Sequence, residues 1–222
     1  MKKIFFILCA IILVISSCQN KKGENLEPSQ TQASKDTTII AGVYHFNFDG
    51  FELWTLQDSQ KGMPASLFPT ADKKIIKELM PSGEADAAIN AFLVKKDGQY
   101  ILFDAGLGLD NGGAMLDKLT MLNIPQDSIK SICITHCHGD HIGGLLTGEQ
   151  AAFPNAEIYC ASQELNCIKN DKKMRTILKV YGPRIHSFTP GDTILNKIVT
   201  KAAFGHTPGH TLYEIGNLLI IG

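Results

Sequence analysis

The stretch "ICITHCHGDHIGG", Ile132 to Gly144, constrains this chain more than any other. An apolar run of strand character empties directly into His136, His138, Asp140 and His141. Three of the chain's seven histidines fall within six residues here. Clustered imidazoles at the end of a buried strand are a poor way to fill a core and a good way to hold a cation, since imidazole and carboxylate suit Zn²⁺ and related divalent ions. In extended backbone alternate side chains share a face, so His136 and His138 are expected to point together. Gly139 lets the chain turn, which sends Asp140 and His141 to the other side.

The rest of the chain supplies a domain around this stretch. "TTIIAGVYHFNF" and "FELWTLQDS" read as strands joined by Asp49-Gly50, and "INAFLVKKDGQYILF" as a second strand pair around Asp97-Gly98. "ADKKIIKELMP" has the spacing of a short amphipathic helix closed by Pro81. "GGAMLDKLTMLNI" places Met115, Leu116, Leu119 and Leu122 at helical intervals ahead of Pro125. "IKSICIT" and "AEIYCAS" read as strands, and "QELNCIKNDKKMRTILKVYG" as helix in one or two pieces. "KIVTKAAF", "TLYEI" and "NLLII" are three further strands. Strand pairs followed by mixed strands and helices imply an α/β fold, sheets covered by helices.

The N-terminus has a different character. Lys2 and Lys3 precede twelve uncharged, mostly apolar residues, Ile4 to Ile15, then Ser16, Ser17 and Cys18. This is the layout of a secretory signal, and the apolar run is shorter than the ~18 residues of a membrane-spanning helix. "ISSC" resembles the lipobox of bacterial lipoproteins. That resemblance implies a signal peptide over 1–17, lipidation of Cys18, and a domain held at the cell envelope on its extracytoplasmic side. A plain secreted protein is the alternative. Residues 18–37 are polar and nearly free of large apolar side chains, as in a flexible tether. A net charge of −1 leaves no basic field for nucleic acid. Composition therefore points to a small-molecule partner and is silent on oligomeric state.

"THCHGDH" resembles the HxHxDH motif of the metallo-β-lactamase superfamily, and the likeness extends on both sides. "INAFLVKKDGQYILFDAGLG" resembles the strand pair and D-x-G turn that precede the motif. "FGHTPGHT" resembles the second histidine motif. "FPNAEIYCASQE" resembles the lactonase-like and organophosphate-hydrolase-like branch. The resemblance spans about Val43 to Gly222 and implies an αββα sandwich over 38–222.

Carried onto these residues, the resemblance implies that His136, His138 and His206 hold one metal ion, while Asp140 and His141 hold a second. Zinc is the first candidate for both. Asp140 would also act catalytically, orienting water or passing a proton. Asp104 would lie beneath the site and orient a ligand histidine, unless it merely caps the turn before Gly106. His210 would stand outside the ring of direct ligands. Thr135 and Thr207 would be supporting hydrogen-bond groups, and Cys137 a packing residue.

The implied activity is a metal-dependent hydrolase that uses a metal-bound hydroxide on a lactone, ester, β-lactam or phosphotriester. A non-catalytic metal-binding or interaction protein on the same scaffold, or an inactive truncated fragment, is the alternative. In the family an aspartate follows the strand that "NLLIIG" matches, and a histidine follows later. Neither occurs before Gly222. The C-terminal part of the fold is thus expected to be missing from this chain, as in a fragment of a longer protein.

Overall fold

The computed structural model describes residues 40–170 and 174–222, with backbone alone at 167 and 170. The expected signal peptide, the tether and Cys18 lie outside the described residues. The chain runs β1 (Val43–Phe48), β2 (Phe51–Pro64), α1 (Lys73–Leu79), β3 (Glu84–Lys96), β4 (Gln99–Phe103), α2 (Met115–Met121), β5 (Ile129–Cys133) and α3 (Gly139–Ile142). It continues as β6 (Leu146–Thr147), β7 (Gln150–Ala151), β8 (Glu157–Ala161), α4 (Ser162–Asn170), α5 (Met174–Tyr181) and β9 (Ile185–Phe188). The last elements are β10 (Thr193–Ile194), β11 (Ile198–Ala202), β12 (Thr211–Ile215) and β13 (Leu218–Ile220).

Seven strands form a mixed sheet in the order β1-β2-β3-β4-β5-β8-β9. Its first half is antiparallel, with tight turns joining β1 to β2 and β3 to β4 and the segment that carries α1 joining β2 to β3. Asp49 and Gly50, then Asp97 and Gly98, all take positive φ, which matches the right-handed twist of the flanking strands. From β4 onward the pairing is parallel, and helices and loops make the crossovers. A four-stranded antiparallel sheet, β10-β11-β12-β13, packs on one face of the large sheet. Phe51, Val94, Phe103, Phe188, Ile198, Tyr213 and Ile220 fill the space between the two sheets.

The opposite face of the large sheet carries the helices. Met115, Leu116 and Leu119 of α2, Ile142 of α3, Ile168 of α4, and Ile177 and Tyr181 of α5 pack there on Leu56, Leu93, Leu102 and Ile132. Core, sheet, core and sheet therefore stack in the layered α/β sandwich that the sequence implies, and the carboxyl ends of β4 and β5 open at one edge. In open sheets of this kind, that edge is where ligands bind.

A β-bulge between Gln57 and Ser59 interrupts β2 and shapes this edge. Asp58, at the bulge, is buried. Its carboxylate accepts the Leu107 N–H at 2.7 Å and the Met115 N–H at 2.9 Å, tying the loop after β4 to the start of α2. Gly106 is required for that approach. Its φ is +69°, and a Cβ there would stand 2.5 Å from the Asp58 carboxyl carbon.

Three details depart from the sequence expectation. β2 continues to Pro64 through "QKGMP", pairing with the start of β3 as a polar ribbon that hydrophobic alternation does not mark. Helix α1 forms where expected, with Asp72 accepting the Lys74 N–H at 2.7 Å, yet it buries no residue. β9 and β10 were not expected, because segments of four and two residues carry too little periodicity to read.

The contrast between core and α1 gives a direct test. Phe103→Ala, emptying a fully buried position between the sheets, should cost about 3–5 kcal/mol in urea denaturation. Ile75→Ala on α1, 52% exposed, should stay within about 0.5 kcal/mol of wild type.

Candidate metal centre

The strand β5 ends at Cys133, two residues earlier than its apolar run suggests, so the histidines stand on a loop and not on extended strand. His136 is buried and His138 exposed. Their ring atoms nonetheless converge. His136 Nε2 lies 3.1 Å from His206 Nε2, and His138 Nδ1 lies 3.1 Å from the same nitrogen. The three donor atoms all fall within 4.8 Å of one another. In a tetrahedral zinc site with ~2.0–2.1 Å bonds, ligand nitrogens stand ~3.3 Å apart. Neutral imidazole lone pairs aimed at one point repel unless a proton or a cation lies between them, so this geometry fits a divalent ion.

Hydrogen bonds behind the cluster set the tautomers. Asp104, at φ +60°, is buried at the end of β4. Its Oδ1 accepts the Thr135 N–H at 2.8 Å, and its Oδ2 accepts the Thr135 hydroxyl at 2.7 Å. Because that hydroxyl has a single proton, the 3.1 Å contact from Thr135 Oγ1 to His136 Nδ1 is donated by the ring. His136 Nε2 is then the free lone pair, on the side facing His206. Asp104 Oδ2 also meets His141 Nδ1 at 2.8 Å, which leaves His141 Nε2 turned to Asp140 Oδ2 at 3.6 Å. One carboxylate thus orients two ring systems, the arrangement by which outer carboxylates fix histidine ligands.

Asp140 and His141 lie within the short helix α3 and do not fall within the three-nitrogen group. The Asp140 side chain is partly exposed beside His141. His210 sits behind His136, with ring centroids 5.0 Å apart, and accepts the Ala203 N–H through its backbone oxygen. Its Nε2, the Thr207 hydroxyl oxygen and Gln163 Oε1 are buried with no hydrogen-bond partner among the described residues. Cys137 turns into the helix-side core, its Sγ 3.8 Å from Cys160 Sγ. His45 stacks on Trp54 and His186 meets Glu157, so each has a local role on the sheet surface.

Sequence reasoning missed Glu164. This residue of α4 is fully buried, and its carboxylate accepts the Cys137 N–H at 2.8 Å and the Gly209 N–H at 2.6 Å. A glutamate in the first turn of a helix is an ordinary sequence feature, and nothing local marks it as a link between two distant loops.

The proton affinities follow from this packing. Burial, then the neighbouring histidines, pushes the His136 pKa down to about 2. Burial lowers His206 as well, with nearby imidazoles adding to the effect, and burial lowers His210 against the opposing hydrogen bond to the Ala203 backbone and the charge of Asp104. At His141 burial also lowers the pKa, but the hydrogen bond and charge of Asp104 outweigh it and the net shift is upward.

The sequence matches the metallo-β-lactamase superfamily over residues 86–222, more than half of the chain. The chain belongs to the metallo-β-lactamase superfamily. It is similar to the uncharacterised protein YobT of Bacillus subtilis (strain 168), 27% identical over 131 residues, which are 54% of each chain. It is 41% identical over 58 residues to ribonuclease Z of Borreliella burgdorferi (strain ZS7), 26% of this chain and 16% of that one. The chain thus spans about half the length of the first of these relatives and under a fifth of the second.

Among solved structures it is similar to AidC, a dizinc quorum-quenching lactonase in complex with a product. The TM-score is 0.71 and the identity 25%, over 80% of this chain and 72% of that one. It is also similar to the hydrolase AbOPH, at a TM-score of 0.70 and 25% identity over 81% and 72%.

In the metal-free protein, three histidines with lowered pKa values are opposed by one with a raised value. Below about pH 6.5 the unfolded chain takes up protons that folded His136, His206 and His210 refuse, and stability falls with pH. His141 contributes in the opposite sense, stabilising in acid and losing that contribution as pH rises through its folded pKa. The urea midpoint of chelator-treated protein should therefore drop between pH 7.5 and about pH 5.5. A midpoint that rises over this window contradicts the assignment.

Proposed function

We propose that this chain carries the metal-binding core of a hydrolase that opens a lactone or a similar ester. The observation that supports this most is the convergence of His136, His138 and His206 at 3.1 Å spacings within a superfamily fold. The likeness to a dizinc lactonase at 25% identity favours a cyclic ester among the possible carbonyl substrates.

His136, His138 and His206 would hold the first divalent ion, with zinc the first choice for an all-imidazole set. Asp140 and His141 would supply ligands to a second, since Asp104 holds His141 through Nδ1 and turns Nε2 toward Asp140. A divalent ion in such a site polarises a carbonyl and makes water a stronger acid at neutral pH. The protein's own residues do the rest. Asp104 and Thr135 hold His136 in the tautomer that offers Nε2. Asp140, exposed beside the cluster, orients the attacking water and carries its proton to the leaving alkoxide oxygen as the acyl C–O bond breaks.

Removing metal with a chelator should abolish hydrolysis of an acyl-lactone and ester panel, and zinc should restore it. His206→Ala should lower kcat/KM by at least about 100-fold, about 2.7 kcal/mol of transition-state stabilisation, in a protein that still folds. Full activity in His206→Ala, or activity indifferent to chelation, sinks the proposal.

We also propose that residues 1–17 direct export and that Cys18 carries a lipid, on the strength of the "ISSC" sequence. Cys18→Ala should move the protein from the membrane fraction to the soluble one. Continued sedimentation with membranes counts against lipidation.

A further inference from the structure

The two histidine-bearing loops come from distant parts of the chain, His136 and His206 being seventy residues apart. Something must set the distance between them. Behind the histidines, the Thr211 N–H donates to Thr135 O at 3.0 Å and the Tyr213 hydroxyl donates to Ile134 O at 2.6 Å. At the level of the ligands themselves, Glu164 connects the two loops. Its Oε2 takes the N–H of Cys137, the residue between His136 and His138. Its Oε1 takes the N–H of Gly209, between His206 and His210.

We propose that Glu164 is a positioning residue that sets the metal affinity of the three-histidine site by fixing one ligand loop against the other. The proposal rests on the metal-binding reading given above. Three features suit the residue to this task. A carboxylate has two acceptor oxygens in fixed relation, so it spans two N–H donors at a defined separation. Hydrogen bonds to an ionised acceptor are shorter and stronger than neutral ones, and full burial keeps water from competing for either oxygen. Gly209 is shaped for the contact as well. A Cβ at that position would stand 2.9 Å from both Cγ and Oε1 of Glu164, so any larger residue displaces the bridge. Helix α4, which carries Glu164, is anchored independently by Ile168 in the helix-side core. The bridge is therefore mounted on an element that belongs to neither loop.

Glu164→Gln separates this role from simple stability. The amide keeps the shape and one acceptor oxygen, but sets an NH₂ donor against a backbone N–H, so one of the two links is lost. In purified full-length protein, zinc affinity is measured by competition with a chromophoric chelator, and cobalt is added as a spectroscopic probe. Glu164→Gln should weaken zinc binding by about 10–100-fold and alter the visible spectrum of the cobalt-loaded protein. Phe51→Ala, which removes packing between the sheets, should lower the melting temperature of the metal-free protein at least as much. Its zinc affinity should stay within about twofold of wild type, because Phe51 starts β2 at the end remote from Asp58 and the ligand loops.

Wild-type zinc affinity and an unchanged cobalt spectrum in Glu164→Gln overturn the positioning role while leaving the metal site standing. Equal weakening in Phe51→Ala also overturns it, since affinity would then track stability. A wild-type protein that binds no zinc overturns the metal-binding reading and this proposal together.

Discussion

Holding three imidazole nitrogens at a single point is the constraint on which the rest of this structure depends. Their lone pairs repel without a cation, and each ring sits on a loop with conformational freedom of its own. The structure meets this with buried carboxylates that accept backbone N–H groups, placed behind the rings and out of reach of water. Asp58 anchors the loop after β4 to the start of α2. Asp104 joins that loop to Thr135 and His141. Glu164 joins the loops of Cys137 and Gly209. Each is a short side chain with two acceptors serving groups far apart in sequence.

These carboxylates are costly to bury, and that cost is acceptable because each is fully matched with donors. The sheets make the arrangement possible. Parallel pairing of β4 with β5 brings Asp104 and Thr135 to the same edge. The second sheet then delivers "FGHTPGH" to it through the β11–β12 connection. The large apolar layers on either side keep these strand ends from shifting, so loops that carry polar chemistry rest on rigid supports.

Much of the site was legible as one-dimensional pattern. His136, His138, Asp140 and His141 cluster within six residues, and His206 lies in a recognisable glycine-rich repeat of histidine. The hairpins at Asp49-Gly50 and Asp97-Gly98 were readable because their turns demand positive φ from residues that tolerate it. Strict strand alternation was a poorer guide. β5 stops at Cys133, and the convergence of His136 with His138 is achieved by loop geometry in which one is buried and the other is not.

The sequence by itself determined the chemistry on offer: which residues can ligate a cation, which turns the strands take, and which apolar runs must be covered. Those features are local, set by side-chain type, by φ preference and by spacing of a few residues. Tertiary structure alone decided which donor atoms meet, which groups back His136 and His141, and which side chain bridges the two loops. Those depend on hydrogen bonds between residues 27 to 45 positions apart or more, as at Glu164 and Asp104, where no short-range pattern records the partner.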